Sequence, residues 1–265
     1  DFLYGAWNLW LGINRRKKGR IAMPNEEWIA AYERVKEQLQ CRTDLEAYFS
    51  EKQIGGVDID TLAIGNVHFP TGEVVACDPM VELGDCIPYI QRVPIGTYPV
   101  TICVVPDEDY GDRYVCVKVA ISDEKPVRYD MGMTGHENLD EEIEEGAFFG
   151  FSVDAGMACV ADVRAQEEYE AYWRKRCEKE DDINSYDDLF SDVLEESYAA
   201  HPKYQRDAGD WANWTVPGTD CNIPIFTSGW GDGYYPCYFG FDEKGDICGI
   251  YLLFIDIEEE YDDGE

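Results

Sequence analysis

Four aspartates stand where strands are expected to end. Asp78 precedes Pro79 after the apolar run Val74 to Cys77. Asp154 opens Asp154-Ala155-Gly156 after the strand-like run Phe148 to Val153, and Asp162 follows eight residues later at the start of a helical pattern. Asp232 sits inside Gly229-Trp230-Gly231-Asp232-Gly233-Tyr234-Tyr235-Pro236. A carboxylate at a strand end near a helix start is a common position for a general base or a metal ligand. Asp154 and Asp232 are therefore the candidate catalytic residues. If Asp78, Asp154, Asp162 and Asp232 converge on one rim, their all-oxygen set suits Mg²⁺ or Ca²⁺ better than zinc. The same residues also read as structure, with Asp154 as a turn former, Asp162 as a helix cap and the glycine-rich loop as a wide turn.

A second constellation is aromatic. Trp230, Tyr234 and Tyr235 flank Asp232, and Trp211 and Trp214 lie a short way upstream. Three glycines around one Asp allow unusual backbone angles and close approach of a ligand. These five aromatics are the candidate binding residues. The loop fails as an EF-hand, which needs oxygen ligands at alternate positions, and as a phosphate-binding loop, which needs Gly-Lys-Ser/Thr.

Other chemistries are poorly served. The three histidines, His68, His136 and His201, form neither HxH nor HExxH, so a histidine zinc site is not expected. Cys159 and His136 make a nucleophile pair only if the fold brings them together. No GxSxG elbow, GxGxxG fingerprint or CxxC motif is present. The ten cysteines alternate with Val and Ile in strand-like runs, where a free thiol behaves as a small apolar group. No signal-peptide pattern opens the sequence. These features point to reduced thiols in a cytoplasmic protein.

The elements that must position these residues follow from periodicity. Asn25 can cap a helix carrying Trp28, Tyr32, Val35 and Leu39, and Thr43 with Glu46 suggests a capping box for a second helix. Gly55-Gly56 ends it. From Leu62 to Val160 the pattern turns to period two, with turn signals at Pro70-Thr71-Gly72, Pro94-Ile95-Gly96 and Asp109-Tyr110-Gly111-Asp112. Residues 162 to 199 read as two helices, the first capped by Asp162 and the second started by Ser185. Strands return from Trp211, and the run Ile247 to Ile257, apolar on both faces, reads as a central strand. The expected fold is α+β: a largely antiparallel sheet or sandwich with inserted helices. Residues 1–60 form an N-terminal helical extension and residues 61–265 an α+β domain ending in an acidic tail. The basic cluster Arg15, Arg16, Lys17, Lys18 and Arg20 beside Trp7 and Trp10 reads as a segment that offsets the acidic body.

Four segments taken together resemble a bacterial family known only as domain-of-unknown-function family 4241. They are TGEVVACDP (71–79), PIGTYPV (94–100), FGFSVDAGMACVAD (149–162) and SGWGDGYYPCYFGFDEKGDI (228–247), and the likeness spans residues 62–257. The resemblance implies a shared fold, and it implies no activity, cofactor or catalytic residue.

Charge is the largest single signal. The chain of 265 residues holds 22 Lys and Arg against 55 Asp and Glu, a net charge of −33. That balance argues against nucleic acid or an anionic membrane surface as partner. No run of eighteen apolar residues exists to span a bilayer. The last 85 residues hold 21 acids against Lys203, Arg206 and Lys244. Such a field attracts basic proteins. The expected function is an acidic protein-binding module, immunity-like in logic, that engages a cationic protein and needs no cofactor. The alternative is a hydrolase built on Asp154, Asp162 and Asp232, with or without Mg or Ca.

Overall fold

The computed structural model of the protein describes residues 24–107, 111–144 and 146–261. The basic cluster between Arg15 and Arg20 lies outside these residues, as does the end of the acidic tail. Helix α1 (Glu26–Val35) begins where its cap residue implies, with the Trp28 N–H donating to Asn25 Oδ1 at 2.7 Å. Its Ala31 is buried, and Trp28 stacks on Tyr32.

The second helix departs from expectation. It is a single turn, α2 (Ala47–Ser50), and Thr43 and Glu46 form no capping box. Thr43 Oγ1 donates instead to Asp256 at 2.7 Å. The Glu46 carboxylate accepts from Lys118 Nζ at 2.6 Å and from the Tyr251 hydroxyl at 2.7 Å. Half-buried long-range partners hold these groups more firmly than a solvated cap would.

Fourteen strands follow among the described residues. β1 (Gln53–Ile54) and β2 (Val57–Asp58) form a small ribbon. β3 (Asp60–Phe69), β5 (Gly96–Val105), β6 (Arg113–Ala120), β7 (Arg128–Met131), β13 (Cys237–Phe241) and β14 (Ile247–Leu253) make an antiparallel six-stranded sheet in the order β3-β5-β6-β14-β13-β7. β14 is thus interior, as its two apolar faces require. β4 (Val74–Cys77), β9 (Met157–Asp162), β10 (Trp211–Thr215) and β11 (Asn222–Thr227) make a second antiparallel sheet, ordered β10-β11-β9-β4. β8 (Phe151–Val153) pairs with β12 (Gly233–Tyr235) as a separate ribbon.

The second sheet lies between two cores, and strand alternation sorts its residues between them. Val74, Ala76, Ala158, Val160, Trp211 and Phe226 join the core shared with the six-stranded sheet. Val75, Cys77, Cys159, Ala161, Ala212 and Trp214 join a second core, which is covered by α3 (Val163–Cys177), a π-helical turn (Tyr186–Phe190) and α4 (Ser191–Ala200). Adjacent residues point to opposite faces, so a strand covered on both sides must be apolar throughout. β9 meets that demand, being buried along its whole length. The architecture is α+β, with most of the framework in antiparallel sheet. Leu39, Leu45 and Tyr48 of the N-terminal part pack into the first core with the six-stranded sheet.

The second helical region also differs in detail. Asp162 caps α3, with the Arg164 N–H donating to it at 2.7 Å. Ser185 caps nothing; its hydroxyl donates to the Met80 carbonyl, and the chain takes a π-helical turn before α4. A last single turn, α5 (Ile257–Glu260), is capped by Asp256. Among the described residues no helix is long and apolar enough to cross a membrane.

Candidate functional site

Two loops meet beyond the start of β9: residues 154–156, and the glycine-rich loop between β11 and β12. Asp78, 1% exposed, holds the first loop from below. Its Oδ2 accepts from the N–H groups of Asp154 (3.0 Å) and Ala155 (2.7 Å), and its Oδ1 from the Met80 N–H (2.9 Å). Asp232 holds the same loop from the other side, accepting the Gly156 N–H at 2.9 Å. The Ser228 N–H donates to the Gly156 carbonyl, and the Tyr235 hydroxyl donates to the carbonyls of Ser228 and Gly231. Both loops are therefore fixed through hydrogen bonds to their main chain.

Burial pushes the Asp78 carboxyl up, while its main-chain donors pull the other way. Half-buried Glu82, which accepts from Ser152 Oγ at 3.3 Å, is also raised, first by burial and then by the charges of Asp78 and Asp154. Asp154 and Asp232 are exposed. This rim thus presents two exposed carboxylates, Asp154 and Asp232, beside one that is buried, Asp78, and one that is half-buried, Glu82.

Asp162 is not part of it. It lies at the far end of β9, about 15–20 Å away for a strand of that length. There it is fully buried and takes hydrogen bonds from Thr71 N–H, Thr71 Oγ1 and Gly72 N–H as well as from Arg164. The four-aspartate metal set is corrected on that point: Asp78, Asp154 and Asp232 share one rim, and Asp162 ties a turn to a helix. The oxygens of Asp78 are committed to N–H donors. Among the described residues, no three His, Cys, Asp or Glu side chains are grouped to hold a metal ion. A hydrolase at this rim would rest on Asp154 and Asp232 with Glu82.

The aromatics divide in two. Trp230 and Tyr234 are 54% and 50% exposed, and Tyr234 stacks on Phe148, itself 41% exposed, with ring centroids 5.8 Å apart. The Gly150 N–H donates to the Tyr234 hydroxyl, which fixes that ring. The Arg113 guanidinium lies over the Trp230 ring at 4.8 Å. Tyr235 is buried and braces the loop from inside. Trp211 and Trp214 are corrected as surface anchors: they are 6% and 9% exposed. Trp214 packs among Tyr169, Tyr172 and Phe190, and Trp211 stacks against His201. Alternation along β10 sends each ring into one of the two cores. Cys159 is buried with its sulfur 3.8 Å from that of Cys77. Phe148 and Glu82 are not among the residues that the sequence singles out for the site; the one signal for Phe148 is its place in the Phe148-Phe149 pair ahead of β8, of which Phe148 is exposed and Phe149 packs against the first core.

Stacked antiparallel sheets carrying a rigid, acidic, aromatic-faced loop pair define an α+β protein with a preformed surface. The chain belongs to the family described as protein of unknown function (DUF4241), whose model matches residues 67–252. That stretch takes in the four-stranded sheet, the loop pair and the six-stranded sheet apart from most of β3. Comparison with curated proteins and with solved structures finds no match.

Proposed function

We propose that the protein is an acidic binding module, immunity-like in logic, whose partner in the cytoplasm is a cationic protein. The observation that carries this reading is the exposed set Trp230, Tyr234 and Phe148 beside the exposed carboxylates of Asp154 and Asp232. Aromatic side chains on a rigid loop lose little entropy on binding and commonly anchor interfaces. The Arg113 contact supplies an internal example of a guanidinium resting on one of these rings. The net charge of −33 adds long-range attraction for a basic partner.

The test is affinity capture from the source cell with wild-type protein and with a Trp230→Ala/Tyr234→Ala double variant, followed by kinetics on each purified partner. The expected partner is basic and is lost from the double variant, each aromatic accounting for about 2 kcal/mol or more. Its association rate falls steeply with added salt while dissociation changes less. Capture of only neutral or acidic proteins, or association indifferent to salt, would refute the proposal.

A further inference from the structure

A groove of about 1300 Å³ runs along β10, on the far side of that strand from β11. β3 forms one wall and α4 the other, and all five residues of β10 line it. Register shows which main-chain groups face it. The Thr227 N–H donates to the Asp210 carbonyl and the Val216 N–H to the Cys221 carbonyl. With Trp211 opposite Phe226 and Thr215 opposite Asn222, Ala212 and Trp214 turn their main chain toward β11. Trp211, Asn213 and Thr215 turn theirs outward. Pro224, which has no N–H, sits opposite Asn213 in keeping with this pattern.

The Trp211 N–H is taken by Gln205 Oε1. Among the described residues nothing takes the main-chain groups of Asn213 and Thr215. The facing edge of β3 is closed: Asn213 Nδ2 donates to the carbonyls of Ile64 (3.0 Å) and Asn66 (2.8 Å), and Asn222 Oδ1 accepts the His68 N–H (2.9 Å). A bulge with Gly65 at φ +95° lets Asn213 approach that closely. One wall is thus blocked as sheet edges usually are, while β10 is open. Two buried side-chain atoms of groove residues, Trp211 Nε1 and Ser197 Oγ, have no hydrogen-bond partner. An indole N–H can only donate, so it calls for an acceptor such as a carbonyl.

We infer that this groove binds an extended segment of another polypeptide, which adds as a fifth strand to β10 through main-chain hydrogen bonds. A peptide supplies, at strand spacing, both the carbonyls and the N–H groups that Asn213 and Thr215 require. The rim selects a basic segment: Glu196 and Asp220 are exposed there, and the one lysine in the lining, Lys203, is paired with Asp60 at 3.0 Å. The inference uses none of the residues of the Trp230 face.

The probe is an end-blocked decapeptide alternating lysine and valine, with fluorescence anisotropy as readout. A second peptide of the same charge carries N-methyl groups on alternate amides. The wild-type protein is expected to bind the first peptide and to bind the methylated one about ten-fold more weakly or worse. Thr215→Pro removes one outward N–H and leaves the ladder to β11 intact. Ala200→Arg fills the groove from the exposed face of α4. Both are expected to weaken binding by a similar factor, with thermal unfolding confirming the fold of each. In hydrogen exchange the Asn213 and Thr215 amides should exchange rapidly in free protein and become protected with peptide bound. Equal binding of the two peptides, no binding of either, or amides already protected in free protein would overturn the inference. Glu124→Gln, an exposed change outside both the groove and the Trp230 face, is expected to bind the peptide as wild type does.

Discussion

At the scale of single residues, the cysteines are the most legible side chains. All ten are free, seven of them buried, and Cys177 alone is exposed. Burial pushes the thiols of Cys103 and Cys237 up to about 12 and raises that of Cys77. Thiolates are the reactive form, so these groups are inert while the sheets stay closed. A thiol-specific disulfide reagent at pH 8 should modify one group rapidly in the native protein. Cys177→Ser should remove that phase, and denaturation without reductant should release ten thiols. A fast phase of several thiols would mean that the sheets open readily; fewer than ten after denaturation would mean that disulfides form in the native protein.

Among elements, the start of α3 depends most on one side chain. Asp162 both caps the helix and holds the turn at Thr71 and Gly72 ahead of β4. Gly72 sits at φ +73°, and a Cβ there would run into the Val93 carbonyl, so the turn cannot shift to find other partners. An ordinary cap is worth about 0.5–2 kcal/mol. Asp162→Ala also strands a buried Gly72 N–H, so the expected loss is roughly 2–4 kcal/mol in urea unfolding. Asp232→Asn, exposed and facing one N–H, should cost under about 1 kcal/mol. Similar costs at the two positions would show that Asp162 is not the structural tie described here.

For the whole molecule, the issue is how the layers are held together against a net charge of −33. Asp60, at the start of β3, accepts from the Tyr204 hydroxyl at 2.6 Å and from Lys203 at 3.0 Å, both in the segment between α4 and β10. The Tyr204 carbonyl accepts in turn from the Tyr114 hydroxyl of β6 at 2.7 Å. Tyr204 takes a left-handed φ of 58° within this clasp, a conformation costly for a tyrosine unless its surroundings impose it. The Tyr204 hydroxyl first, and then the Lys203 ammonium, hold the Asp60 carboxyl well below the usual carboxylate range. A carboxyl depressed in the fold stabilises it above the unfolded pKa of about 3.9, and that contribution fades as pH falls toward the folded value. Asp60→Asn should therefore lower the urea midpoint at pH 7, and the gap from wild type should narrow steadily below about pH 4. A gap that is constant with pH would show that the clasp is steric rather than ionic.

The sequence by itself determined what depends on neighbours along the chain. The Asn25 and Asp162 caps need only a side chain and an N–H two or three residues on. The run through β14 marks an interior strand because apolar side chains on both faces admit no other place. The likeness carried by residues 71–79, 149–162 and 228–247 marked the family. Tertiary structure decided whatever joins distant segments. Thr43 and Glu46 carry the letters of a capping box, yet Asp256, Lys118 and Tyr251 claim them, because long-range partners compete with a solvated cap. Four similar aspartates at strand ends could not be sorted in advance. Layer packing brings Asp78 and Asp232 to the Asp154 loop and buries Asp162 at the other end of β9. Trp211 and Trp214, two polar-flanked aromatics in an acidic stretch, are covered by cores that exist only once β10 is clamped between β3 and α4. The groove beside them is assembled from residues some 150 positions apart, and no local pattern records a contact at that separation, because it is made by the stacking of the sheets.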